Sequence, residues 1–221
     1  MRPGSQETTI LLPTNLINDY VMNGCFEQNL IDWTKEFCSP QRITLDIGAH
    51  TGTYALQHAP YSLEVHAFEP QRMTYYGLCG SVALSHQKNV YCHHCALGDS
   101  KQAEQKWIDL SIVSIDGGGS SICRDLNASN ILEKERVQVK TLDSFGWEDK
   151  PIGFIKIDVE GNEPAVLRGA YKTLTENQYP HILFEANSQD ELNTVKNECM
   201  SLEYKVFPVQ GYRNMYLASR Q

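Results

Sequence analysis

From Arg42 onward the chain alternates short apolar runs with stretches whose apolar positions recur every three or four residues, the pattern of repeated strand–helix units. The runs predict strands over Ile43 to Ile47, Leu63 to Phe68, Val90 to Leu97, Phe154 to Val159 and Ile182 to Phe184. Helical spacing falls between them, near 52–58, 72–84, 164–177 and 190–202, with Pro164 at a first-turn position where its missing N–H costs nothing. Tyr204 to Val209 and Met215 to Ala218 flank Gln210-Gly211-Tyr212-Arg213-Asn214 and read as a terminal hairpin. The expected fold is α/β, a mostly parallel sheet with an antiparallel C-terminal hairpin strand.

Two segments break this rhythm. Trp107 to Ser114, Gly117 to Ser121 and Val137 to Leu142 form an insertion between the third and fourth strands; its glycine-rich stretch is either a lid over a site or a plain linker. Before Arg42 no strand is evident. Leu16, Tyr20, Phe26, Leu30, Ile31, Trp33 and Phe37 recur at roughly helical spacing, which predicts one or two short helices, so residues 1–41 read as a cap and not as an independent domain. Met1 to Ser5 are left out of this reading.

The chemistry concentrates at the ends of the predicted strands. In Leu45-Asp46-Ile47-Gly48-Ala49-His50-Thr51-Gly52-Thr53-Tyr54 a strand runs into a glycine turn and a helix, at the carboxyl edge where open α/β sheets bind ligands. Asp46, Gly48, His50, Thr51, Gly52 and Tyr54 are therefore cofactor candidates. Glu69 ends the second strand, where a carboxylate can accept hydrogen bonds from both hydroxyls of a ribose. The dinucleotide fingerprint needs a glycine where His50 stands and a small residue where Thr53 stands, so pyrophosphate is disfavoured. S-adenosylmethionine, a nucleoside without phosphates, fits the turn better than NAD, although an NAD-dependent oxidoreductase or epimerase remains the alternative.

A second constellation is Phe154-Ile155-Lys156-Ile157-Asp158-Val159-Glu160-Gly161-Asn162-Glu163-Pro164. Alternation puts Lys156 and Asp158 on one side of the strand, and the Gly161 turn brings Glu160 and Glu163 to the same edge. Acids that complement a helix dipole would explain the glutamates equally well, but not a lysine inside an apolar strand.

Composition narrows the partners. Lys+Arg 19 against Asp+Glu 27 gives a net charge of −8, and no basic block offers a footprint for nucleic acid or an anionic membrane. There is no apolar stretch of about 18 residues and no basic-then-apolar leader, so neither membrane insertion nor secretion is expected. Seven cysteines, an odd number scattered through core-like segments, suit reduced thiols in a cytoplasmic setting. Cys92-His93-His94-Cys95 invites a zinc reading, yet a strand points the two thiols to opposite faces and no second pair follows. Asn127-Ala128-Ser129 matches a glycosylation acceptor, with no secretory route to give it weight.

Taken in order, Leu45-Asp46-Ile47-Gly48-Ala49 with Thr51-Gly52, Phe68-Glu69-Pro70, Ala96-Leu97-Gly98-Asp99, Thr141-Leu142-Asp143 and Ile155-Lys156-Ile157-Asp158-Val159-Glu160-Gly161-Asn162-Glu163, running on to Leu167-Arg168-Gly169-Ala170, resemble the FkbM-type branch of S-adenosylmethionine-dependent methyltransferases. The resemblance implies a class I methyltransferase fold over 42–221, cofactor contacts at Asp46, Gly48, Glu69, Ala96 and Leu97, and methyl transfer to oxygen, often on a sugar or natural-product hydroxyl. A sugar or glycan acceptor is the expectation, a non-sugar natural product the alternative. An aliphatic hydroxyl needs its proton drawn away or its pKa lowered by a metal. That directs attention to Asp158 first, Glu185 as its partner, and Lys156 and Glu160 beside them. Asp158 and Glu185 are also the carboxylates that would hold Mg²⁺, and a base and a metal site both stay open. The N-terminal helices are expected to wall the acceptor pocket, with Tyr20 and Trp33 serving as core or as faces for a sugar ring.

Overall fold

The computed structural model describes residues 8–13, 16–124, 127–147 and 150–220; Met1 to Ser5 lie outside them. Two short helices, α1 (Ile17–Asn23) and α2 (Gln28–Thr34), lead through a 3₁₀ turn at 35–37 into β1 (Ile43–Ile47). There follow α3 (Thr53–His58), β2 (Glu64–Phe68), α4 (Arg72–Leu84), β3 (Val90–His93), β4 (Ala96–Leu97), α5 (Ser100–Glu104), β5 (Trp107–Ile112) and β6 (Glu133–Lys140). The chain is completed by β7 (Ile152–Ile157), α6 (Glu163–Arg168), α7 (Tyr171–Glu176), β8 (His181–Glu185), α8 (Gln189–Ser201), β9 (Lys205–Pro208) and β10 (Met215–Ser219).

Seven strands form one sheet in the order β3-β2-β1-β7-β8-β10-β9. Pairing is parallel from β3 across to β8, and β10 runs antiparallel to both β8 and β9. The order turns about between β1 and β7: successive strands move outward to β2 and β3 on one side and to β8 on the other. A crevice opens at the carboxyl ends of strands on either side of such a switch point.

Alternation along the central strands divides the core. Leu45, Ile47, Ile155, Ile157, Ile182 and Phe184 face α6, α7 and α8, packing on Val166, Leu174, Val195 and Cys199. Phe154 and Leu183 face the opposite way and are covered by Leu30 and Ile31 of α2, Tyr54 of α3 and Met215. Lys156 and Asp46, two residues on from Phe154 and Thr44, therefore emerge on the α2–α3 face.

Three expectations need correction. The run Val90 to Leu97 is not one strand: Cys95 N–H bonds back to His93 O at 3.1 Å, and Ala96–Leu97 leaves the main sheet to pair with Val139 and Lys140 of β6. Apolar residues run on from Val90 through Cys95 to Leu97, so hydrophobicity alone does not show that the two pieces belong to different sheets. The helix expected over 164–177 breaks at Gly169-Ala170, where a Cβ on Gly169 would come 2.0 Å from the Gly98 carbonyl oxygen. The chain must bend there to pass the Gly98 turn, and Asp143 caps the new start through the N–H groups of Lys172 and Thr173 at 3.1 and 2.8 Å. Helix α5 was not anticipated, although Asp99 and Gln102 form a capping box around its start.

Candidate active site

The β1–α3 turn and the end of β7 touch, and glycine is what lets them. A Cβ on Gly48, whose φ is +79°, would lie 1.8 Å from the Asp158 carbonyl oxygen. The Lys156 ammonium donates to the Gly48 carbonyl at 2.7 Å, so the strand lysine fastens the turn from below. It lies 3.3 Å from Asp158 Oδ2 and 3.5 Å from Asp46 Oδ1. Burial works against its charge, but the Asp158 and Asp46 carboxylates outweigh that and raise its pKa above the ordinary lysine value. Asp46 is fully buried beneath the turn; its Oδ2 accepts the Ala55 N–H at 2.9 Å, while Oδ1 accepts no hydrogen bond.

Above this network lies a cavity of about 730 Å³, open mouth included. Gly48, His50, Glu69, Ala96, Leu97, Asp158 and Glu160 all line it. Glu69 is buried with one oxygen on the His50 N–H and the other on the Gln71 N–H, each at 2.9 Å. Burial pushes its pKa up to about 7 against the pull of those two donors. Phe68, Leu110 and Ile122 add apolar wall. Thr51, Gly52 and Tyr54 are not among the lining residues: Gly52 lies behind the turn, where a Cβ would meet Leu78 at 2.9 Å, and Tyr54 faces the cap.

The glycine-rich insertion closes the top of the cavity, since Gly117, Gly118, Gly119 and Ser120 line it. The His50 ring donates from Nε2 to the Asp116 carbonyl at 2.6 Å, and burial lowers its pKa and keeps it neutral. His50 thus holds the insertion instead of projecting freely into the cavity. Glu160 accepts the Gly119 N–H at 3.1 Å and the Arg124 guanidinium, which also donates to Glu191 at 3.1 Å. Glu160 is a tether for this strap. Glu163, on which the sequence placed an acid of uncertain purpose, accepts the Val159 N–H at 2.9 Å and closes its own turn.

Glu185 ends β8, half-buried, accepting from Asn187 at 2.9 Å; burial and the nearby Asp158 charge push its pKa up to about 7. Asp158, Glu160 and Glu185 each offer an oxygen within 4.8 Å of the others, the one such group among the described residues. Carboxylate oxygens are donors that suit a hard cation, and two of the three already stand in ion pairs, Asp158 with Lys156 and Glu160 with Arg124. Cys92, His93, His94 and Cys95 diverge, with His93 on His66 at 2.9 Å, His94 stacked on Tyr75 and Cys95 in the cavity wall.

Two participants escaped the sequence reading. Glu27, at the start of α2, accepts the Tyr54 hydroxyl at 2.7 Å, and the Tyr54 ring lies 5.3 Å from Lys156 Nζ. Arg124 is the other. Neither carries a motif, because its partners are distant in the chain. Trp33, by contrast, packs edge-on to Phe37, which stacks on Phe154 and His181 at the opposite end of the strands from the cavity.

The family model for the methyltransferase FkbM domain matches residues 46–208. Comparison with curated proteins finds no match. Among solved structures, methyltransferase FkbM from Methylobacillus flagellatus KT is similar with a TM-score of 0.57 and 18% identity, over 82% of this chain and 44% of that one. This chain thus spans less than half the length of that protein. A precorrin-6y C5,15-methyltransferase from Geobacter metallireducens GS-15 is similar with a TM-score of 0.57 and 13% identity, over 96% and 94% of the two chains. A Streptococcus mutans protein described as a methyltransferase, in complex with SAH, has a TM-score of 0.51 and 13% identity, over 86% and 94%. At such identities these structures speak for the fold, that of the class I S-adenosylmethionine-dependent methyltransferases. The match across residues 46–208 goes further: the chain belongs to the FkbM methyltransferase family.

Proposed function

We propose that the protein transfers the methyl group of S-adenosylmethionine to a hydroxyl oxygen of a sugar or glycan. The observation that carries the reading is Glu69, a buried carboxylate in the cavity wall whose oxygens are each held by one backbone N–H. Each oxygen keeps a further lone pair, so the pair suits the vicinal hydroxyls of a ribose. Phe68, Ala96, Leu97, Leu110 and Ile122 supply apolar surface for a purine. The carboxylates of Asp158 and Glu160 in the cavity wall favour a ligand with cationic groups. His50 at the turn, tied to Asp116, leaves the backbone no room to approach a pyrophosphate as a second glycine would.

When bound, S-adenosylmethionine supplies an electrophilic methyl group on sulfur. The chain has to align the acceptor oxygen, exclude water and remove a proton. Asp158, held by Lys156 in the cavity wall, orients the acceptor hydroxyl. Glu185, with a pKa of about 7, takes its proton. The strap of Gly117 to Ser120 covers the cavity. The sugar assignment rests on the family resemblance and on carboxylates suited to gripping hydroxyls, and the net charge of −8 disfavours a polyanionic acceptor.

The test is incubation with trideuteromethyl S-adenosylmethionine and a panel of sugars, with and without chelator, followed by mass spectrometric location of the label. The label is expected on a sugar oxygen, with no dependence on chelator. Label on a nitrogen or carbon acceptor, or on none of the sugars, would refute the reading.

A further inference from the structure

We infer that the acceptor binds in the cleft between the N-terminal helices and the C-terminal hairpin loop, and that this cleft selects an uncharged polyhydroxyl group. The inference rests on the methyl-transfer reading above and adds where the acceptor sits and what it is.

The cleft holds about 790 Å³, open mouth included, and is lined by Asn23, Phe26, Glu27, Asn29 and Tyr212 together with Cys25 and Gln28. It shares no lining residue with the cofactor cavity. A short chain of contacts nevertheless joins the two. Glu27 accepts the Tyr54 hydroxyl at 2.7 Å, the Tyr54 ring lies 5.3 Å from Lys156 Nζ, and Lys156 is 3.3 Å from Asp158 in the cavity wall. Glu27 also feels the Lys156 and Asp158 charges, and its own charge helps raise Glu185. Tyr54 and Lys156 are thus the contacts that link Glu27 at the cleft to Asp158 in the cavity wall. Tyr212 belongs to the loop that precedes β10, whose Met215 pairs with Glu185 at the end of β8.

The wall has the composition that recognises hydroxyl groups. A carboxylate accepts from two hydroxyls at once, and the Asn23 and Asn29 amides both donate and accept. The Gln28 amide is already committed to Asp32 and Gln57 and shapes the wall instead. Tyr212 offers a ring to the C–H face of a sugar, and Phe26, largely exposed, offers a second.

Charge decides which sugars fit. The lining contains no Lys or Arg, and the nearby Lys156 is spent on Asp46 and Asp158. Arg213 follows Tyr212 but is exposed and outside the lining. An acceptor with a phosphate or carboxylate near its reacting hydroxyl would meet Glu27 and Glu185, neither of which has a Lys or Arg ion pair among the described residues, a repulsive element that sorts neutral from anionic sugars.

The test compares methyl glycosides of neutral hexoses with those of the matching uronic acids as acceptors, using the wild type, Tyr212→Ala and Tyr212→Phe. Binding of SAH is measured in parallel by calorimetry. Uronic acids are expected to be at least about tenfold poorer in kcat/KM. Tyr212→Ala is expected to raise the acceptor KM about tenfold while SAH affinity stays put, and Tyr212→Phe, which keeps the ring, to restore it. Sugar methylation with an unchanged KM in Tyr212→Ala, or a preference for uronic acids, overturns the cleft and leaves the proposed function standing. A wild type that binds SAH and methylates no sugar of either kind overturns the proposed function, and the cleft's assignment to a polyol with it.

Discussion

Gly48 and Lys156 stand over a hundred positions apart and complete one contact, the glycine by having no Cβ and the lysine by capping its carbonyl. Such residues were legible because each breaks its local pattern: a lysine inside an apolar strand, a glycine after one, an acid where β2 ends. Glu69 is the clearest case, and Glu69→Ala is expected to weaken SAH binding by about 1–3 kcal/mol, measured by calorimetry, because it strips partners from a closed site. Glu185 gives a pH signature. Its carboxyl must be ionised to take a proton, and its pKa is raised from the usual 4.5 to about 7, so turnover should climb as pH rises through 7 and level off above it. Glu185→Gln should abolish that limb and lower kcat on the order of a hundredfold. A rate profile with no rise near pH 7 in the wild type would take the base role from it. Glu27 and Arg124 were not legible, since nothing near them in sequence announces Tyr54, Glu160 or Glu191 as partners.

At the scale of elements, the βα alternation read correctly for the central strands β1, β2, β7 and β8, because burial on both faces makes them largely apolar. It failed where the direction changes with no break in the apolar pattern, at His93 to Ala96 and at Gly169. The insertion had no periodicity to reveal its role, and only the tertiary contacts show it as a strap pinned by Arg124 to Glu160 and Glu191. Arg124 is about a quarter exposed, which limits the worth of its ion pairs. Arg124→Ala should therefore weaken SAH binding by about 1 kcal/mol, roughly fivefold, with the loss in a faster off-rate seen by stopped flow. An unchanged off-rate would show that the strap does not gate the cavity.

For the whole molecule, the N-terminal segment is more than a detachable wall. Leu30 and Ile31 are at most 1% exposed and pack on Phe154 and Leu183 of the central strands. Leu30→Ala should cost about 2–5 kcal/mol in urea unfolding, and a chain begun near Pro40 should fail to unfold cooperatively. A truncated chain with a native transition would mean that α2 contributes only the acceptor side. The sequence could supply the helices' apolar spacing, but not that their burial is shared between the core and a cleft, since which face of the sheet they cover depends on the register of β7 and β8. The most direct measurement is a crystal structure of the SAH complex. The ribose hydroxyls are expected within about 3 Å of both Glu69 oxygens, with the sulfur facing Asp158 and Glu185. A nucleoside bound elsewhere, or a Glu69 touching only the His50 and Gln71 N–H groups, would contradict it.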